Sequence, residues 1–311
     1  MSLLKVKAAI AAGALLLAVP VFAQNEGVGR GQAVVTVLPA HGNEVPASLT
    51  QQDLSVKVNG KDSTITKWTP LRGANDRLEL VVMMDSGARS SLSTQLSDIA
   101  DFVKSLPPES KVTLAYMENG VARLTGPLTT DHNAALKGLH IPSGIAGGSA
   151  SPYFCLSNLA KNWPSNDRSA RREVVMISDG VDYYDARFDP QDPYMQAAIS
   201  DSVRAGLVVY SIYWENKGRF DRTMLGNTAG QNLLLQVTQA TGGNSYWEGL
   251  GNPVSFRPFF QDLQRRLQNQ YELSFTAPLK NKPEISNFKL KVNGISGKVD
   301  APGEVYVARS M

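Results

Sequence analysis

A chain of 311 residues with 42% hydrophobic content carries enough apolar material for one large core or two modest ones, which excludes a disordered chain. Its formal charge of +3 comes without a Lys/Arg-rich stripe, so nucleic acid is excluded as an expected partner. A single cysteine, Cys155, excludes an intramolecular disulfide and a thiolate metal cluster.

The first residues read as a cleaved secretory signal over 1–23: Lys5 and Lys7, an apolar run from Ala8 to Val21, then Val21-Phe22-Ala23 before Gln24. The run falls short of the ~20 apolar residues of a spanning helix. Losing Lys5 and Lys7 lowers the charge from +3 to about +1. No cysteine follows the leader to take a lipid, and no later stretch has spanning length. The expectation is an exported chain, periplasmic or extracellular, with no membrane span after cleavage.

Residues 25–32 are small or polar and read as a flexible start, followed by a β-branched strand over Ala33 to Leu38. Leu54 to Val58 alternates apolar and polar residues, Asn59-Gly60 suits a tight hairpin turn, and Ser63 to Trp68 returns as its partner. These strands form an N-terminal β segment, 24–74.

The texture changes at Leu78, where an almost continuous apolar run to Met84 suits a strand covered on both faces. Similar runs recur at Val112 to Met117, Val174 to Ile177 and Leu207 to Tyr213. Helical spacing separates them, first at Leu96, Ile99, Phe102 and Val103. Further helices are expected at Asp131 to Gly138, Pro152 to Asn162, Tyr194 to Ala205, Leu233 to Thr241 and Pro258 to Gln268. Asp192-Pro193 is a start signal, and Gly206 and Gly242 are stop signals. The alternation implies an α/β domain over 75–268, a doubly wound and mostly parallel sheet.

Alternation returns in Tyr271 to Phe275, Phe288 to Val292 and Val305 to Val307, a C-terminal β segment over 269–311. A lone hairpin is marginal in water, so the two end segments are expected to pack as one β module with the α/β domain inserted between them.

Ligands of such sheets sit at the carboxyl ends of the strands. There the sequence places Asp85-Ser86-Gly87-Ala88-Arg89-Ser90-Ser91, the loop Gly144 to Ser149, and Ser178-Asp179-Gly180. This constellation resembles the von Willebrand factor A (VWA) family, whose metal-ion-dependent adhesion site uses Asp-x-Ser-x-Ser, a Thr, and an Asp often followed by Gly. Asp85 and Asp179-Gly180 match, and Ser149 keeps the hydroxyl of the Thr. Gly87 and Arg89 stand where the family has its two Ser. The flanks, Ser48 to Gly60 and Gln270 to Phe275, resemble a VWFA-related group of secreted bacterial proteins.

The resemblance implies Mg²⁺ or Mn²⁺ on Asp85, Ser149 and Asp179, with a sixth position filled by a partner's carboxylate. Mg²⁺ wants near-octahedral oxygen donors, and two hydroxyls are missing here. Three readings follow. Arg89, always protonated, replaces the ion as an Arg-carboxylate cluster. Alternatively Ser90 or Ser91 completes a true metal site, or Arg89 faces solvent and a serine caps the next helix.

Asp182 to Tyr194 mixes four Asp with four aromatics, and Tyr183, Tyr184 and Asp185 within it are candidates for a partner-binding rim. The plainer reading is a solvated loop with Asp192 capping a helix. No nucleotide, serine-hydrolase or zinc-protease signature is present, His41, His132 and His140 are scattered, and Cys155 reads as a buried inert thiol. The expectation is an exported, non-enzymatic protein that binds another protein without metal or cofactor. The alternative is an envelope assembly component acting through its β module.

Overall fold

The computed structural model describes residues 27–40, 49–145, 147–185, 189–215, 224–249, 251–279, 282–294 and 296–309. The expected leader, 1–23, lies outside the described residues.

Two bodies of β structure are built from interleaved parts of the chain. In the first, β1 (Gly27–Pro39), β2 (Leu54–Val58) and β3 (Lys61–Pro70) come from the N-terminal side. After the α/β elements, β10 (Gln270–Leu279), β11 (Glu284–Val292), β12 (Gly297–Asp300) and β13 (Glu304–Arg309) complete it. The hydrogen-bonded order is β10-β3-β2-β11-β13-β1, and β1 pairs again with β10, so six antiparallel strands close into a ring. β12 and β13 divide the second edge of β1 between them. Val35, Val56, Leu273, Phe275, Phe288 and Val307 fill the interior.

The flexible start expected over 25–32 is overturned for its described part, since β1 begins at Gly27. Two glycines explain why composition misled. A Cβ on Gly31 would lie 2.4 Å from the Phe275 ring and one on Gly29 2.6 Å from Val307 Cγ1. Their small size is a packing requirement and not a sign of mobility.

The second body runs from β4 (Leu78–Asp85) through α1 (Leu96–Lys104), β5 (Lys111–Glu118), β6 (Val121–Leu124), α2 (His132–Leu136) and α3 (Pro152–Lys161). It continues with β7 (Arg171–Ser178), α4 (Pro193–Ala205), β8 (Leu207–Tyr213), α5 (Met224–Thr241), β9 (Ser245–Tyr246) and α6 (Arg257–Leu267). The sheet order is β6-β5-β4-β7-β8-β9, parallel except for β6, which runs antiparallel to β5. In order of appearance this is 3-2-1-4-5-6, the doubly wound arrangement, with its switch point between β4 and β7. Leu80, Val82 and Met84 of β4 face one core with α1 and α6, while Val81 and Met83 face another with α3, α4 and α5. Coverage of both faces is why this strand reads as an unbroken apolar run.

Several expected boundaries shift. α2 stops at Leu136, and α5 begins at Met224 where the apolar spacing had marked only 233–241. The short strands β6, β9 and β12 were not expected. Asp192 caps α4 as anticipated, its Oδ1 accepting from Tyr194 N at 2.9 Å and Met195 N at 2.7 Å, and Gly206 ends that helix in the left-handed conformation.

Arg171 fastens the two bodies together. It is buried, and its Nη1 donates to Leu267 O at 2.9 Å and to Gln270 Oε1, while Nη2 donates to Asp76 Oδ1 at 2.6 Å. One guanidinium thereby ties β7 to both stretches of chain that cross between ring and sheet. Glu173 lies fully buried two residues on, with Arg171 Nε 3.6 Å from its Oε1. Burial pushes the Glu173 carboxyl up to about 7, against the pull of Arg171.

Candidate functional site

The switch-point crevice lies where β4 and β7 end, and there both acidic residues are held by hydrogen bonds from the protein. Asp85 is fully buried; its Oδ1 accepts from Gly87 N at 2.8 Å, and its Oδ2 from Ser178 Oγ at 3.0 Å and Ser149 Oγ at 3.4 Å. Asp179 is also fully buried, its Oδ1 accepting from Val181 N at 2.9 Å and its Oδ2 from the Tyr183 hydroxyl at 3.0 Å. Ser149 and Asp85 thus meet directly, and Asp179 is held from its own loop by Tyr183. Ser178, which precedes Asp179 and ends the buried strand β7, was not singled out from sequence. Only the register of β7 beside β4 reveals that its hydroxyl faces Asp85.

The segment after β4 is a 3₁₀ stretch, 86–95, broken at Arg89, where φ is 54° and ψ −147°. Such backbone disfavours a residue with a Cβ. The Arg89 side chain is exposed, and no ion pair joins it to Asp85 or Asp179. The expected Arg-carboxylate cluster is therefore corrected: the reversed backbone at Arg89 carries this side chain outward. Ser90 is exposed. The Ser91 hydroxyl donates to Ala88 O at 2.5 Å and accepts from Trp214 Nε1 at 3.0 Å, and Gln95, not a serine, occupies the cap of α1.

A divalent ion of the family's kind needs about six oxygen donors, several of them carboxylate or hydroxyl. Here Gly87 and Arg89 supply none, Ser91 is engaged elsewhere, and each oxygen of Asp85 and Asp179 already accepts a protein hydrogen bond. Among the described residues, no group of three or more His, Cys, Asp or Glu side chains is placed to hold a metal ion. The donor set does not fit the implied ion.

Several apolar side chains stand exposed on loops at this end of the sheet. Ile145 is 73% exposed, Tyr184 66% and Val254 92%, and Trp247 also stands out. They sit on loops that follow α2, β7 and β9, and two hydrogen bonds tie such loops to the carboxyl end of the sheet: Asn119 N, just past β5, donates to Gly148 O, and Gln95 Nε2 donates to Val254 O. Tyr184 is pinned by edge-on ring contacts with Phe154 and Tyr194, both at 5.4 Å. Asp182 anchors the base of its loop, its Oδ1 accepting from Tyr184 N and Asp185 N, and burial pushes its carboxyl above the usual range. Asp185 itself is half-buried.

Cys155 is buried in α3, and burial, then the nearby Asp85, push its thiol far up, as befits an inert side chain. His140 stacks on Tyr116, and His132 lies 2.9 Å from Ser110 O at the start of α2.

The strand order, with Asp85 closing the first strand and Asp179-Gly180 following β7, gives the α/β body a VWA-type fold. No family model and no curated protein matches the sequence. Among solved structures, an aerotolerance-related membrane protein from Bacteroides fragilis is 16% identical with a TM-score of 0.41, over 61% of this chain and 98% of that one. The ArnB paralog VWA2 from Sulfolobus acidocaldarius is 10% identical with a TM-score of 0.40, over 91% and 76%. The SpRpn10 VWA domain is 12% identical with a TM-score of 0.32, over 57% and 96%. At this level of similarity the fold assignment rests on the strand order and loop residues described above. No helix among the described residues is long and apolar enough to cross a membrane.

Proposed function

We propose that this is an exported, non-enzymatic binding protein that engages another protein through the loops at the carboxyl edge of its sheet, without a bridging metal ion. The observation that carries the reading is the contrast at that edge. The two carboxylates are buried and internally hydrogen-bonded, whereas Ile145, Tyr184, Trp247 and Val254 are exposed on loops that follow α2, β7 and β9. Exposed aromatics held in place by neighbours lose little entropy when a partner covers them. Among the described residues, the crevice hydroxyls of Ser149 and Ser178 donate only to the buried Asp85 carboxylate, with no histidine or lysine bonded to them, which supports a binding role over catalysis.

Assembly through the β module is the alternative. Its simplest form would be strand addition at β12, which stands at the end of the strand order beside β1. The test is photo-crosslinking in the native envelope from a reactive residue at position 184, compared with one at Lys57 on the ring. A discrete product from 184 that persists in chelator and is lost in Ile145→Asp supports rim binding. Products from Lys57 alone would replace it with assembly through the ring.

A further inference from the structure

The opposite end of the sheet opens onto a second cleft, of about 1270 Å³, between the amino ends of β7 and β8 and the outer wall of the ring. It exceeds the roughly 300–1,000 Å³ of ordinary small-molecule pockets. Both walls mix apolar residues with polar and charged ones. On the ring, the outward residues of β1 and β10 lie in register, Arg30 opposite Thr276 and Gln32 opposite Ser274. On the α/β body, Trp163, Asn166 and Arg168 come from the loop before β7, and Arg204 from the end of α4.

The charge balance is one-sided. Eight Lys and Arg line the cleft against two acidic residues, Glu272 and Glu304. Glu272 is already paired with Lys67 at 2.9 Å, Arg204 is 3.7 Å from Asp201, and Arg171 belongs to the clasp. Arg30 and Arg168 are exposed and, among the described residues, have no carboxylate partner. Two unneutralised guanidinium groups on facing walls, with amides and hydroxyls between them, present a set of donors for a negatively charged, hydroxyl-rich ligand.

We infer that this cleft binds an acidic oligosaccharide, with its anionic groups on Arg30 and Arg168 and its hydroxyls on Gln32, Asn166, Ser274 and Thr276. A peptide is a poorer fit. β1 is paired with β10 along one edge from Gly27 to Thr36, and on the other with β13 at Gly29 and Arg30 and with β12 from Thr36 to Pro39. From Arg30 and Thr276 to Gln32 and Ser274 the wall's outward side chains are guanidinium, amide and hydroxyl, which match sugar hydroxyls better than they would anchor apolar side chains. The site is separate from the carboxyl edge and independent of the binding reading given above.

Isothermal titration of the chain with oligogalacturonate tests this, with poly-glutamate as an acidic peptide and dextran as a neutral saccharide. The expected result is binding of oligogalacturonate that weakens with salt, no binding of dextran, and poly-glutamate weaker by about tenfold or more. Arg30→Gln combined with Arg168→Gln weakens binding of oligogalacturonate by about tenfold or more, with an unchanged circular dichroism spectrum, because both side chains are exposed. Tyr184→Ser at the opposite edge leaves it unchanged. Absence of oligogalacturonate binding, an unaltered affinity in the double variant, or equal affinity for poly-glutamate would each overturn the inference.

Discussion

The two ends of the parallel sheet treat buried charge in opposite ways. At the carboxyl edge, Asp85 and Asp179 receive N–H and O–H donors on both oxygens, Asp85 from its own loop and from Ser178 across the switch point, Asp179 from its own loop. At the amino edge, Glu173 sits fully buried with Arg171 Nε no closer than 3.6 Å, and its carboxyl rises to about 7. The first arrangement makes a closed structural knot beneath an exposed rim. The second leaves an ionisable group whose charge depends on the clasp that holds ring and sheet together.

Breaking the clasp gives the largest expected effect. Arg171→Ala strands Asp76 and Glu173 and frees both crossing stretches, with an expected loss of about 3–5 kcal/mol in urea unfolding at neutral pH. A loss below about 1 kcal/mol would mean that the two bodies are fastened elsewhere. Next comes Glu173→Gln, where the sign follows from the raised carboxyl. The folded chain holds a proton that the unfolded chain releases above its ordinary value of 4.5, so the stabilising contribution of the protonated form is complete below 4.5 and is lost as pH rises to about 7. The Gln variant should match the parent near pH 4 and exceed it by about 3 kcal/mol above pH 7.5. Parallel pH curves for the two proteins would remove Glu173 from the account.

At the carboxyl edge the effects are smaller. Asp85→Ala leaves the Ser178 hydroxyl and Gly87 N–H unpaired in a buried place, for an expected loss of about 1–3 kcal/mol by thermal or urea unfolding. Arg89→Gly sharpens the comparison further. If the residue is only an exposed side chain on unfavourable backbone, glycine raises stability by up to about 1 kcal/mol. A clear loss would restore the ion-replacing role first expected of this arginine.

Much of this architecture is legible in the sequence because periodicity reports coverage. The unbroken run from Leu78 to Met84 could belong only to a strand with both faces buried, and the alternation of Leu54 to Val58 to one with a single buried face. Asp85 and Asp179 were legible because they end such runs. What escaped depended on contacts distant in sequence. Gly29 and Gly31 look like a loose leader until Phe275 and Val307 are seen against them, and Ser178 looks like any strand end until β7 is set beside β4. The orientation of Arg89 was equally out of reach, since backbone at φ 54° is not encoded by any local pattern for arginine. The start of α5 was missed because Gly226, Asn227, Thr228 and Gly230 carry no helical signal of their own.

The central claim is that hydrogen bonds from the protein itself, and no divalent ion, satisfy the crevice at the switch point. Thermal unfolding after chelation, with Mg²⁺, Mn²⁺ or Ca²⁺ then titrated back, tests it directly, because any ion specific to the folded state must raise the midpoint. The account predicts the same midpoint at every concentration. A dose-dependent rise that disappears in Asp179→Asn would contradict it and return the crevice to metal-dependent adhesion.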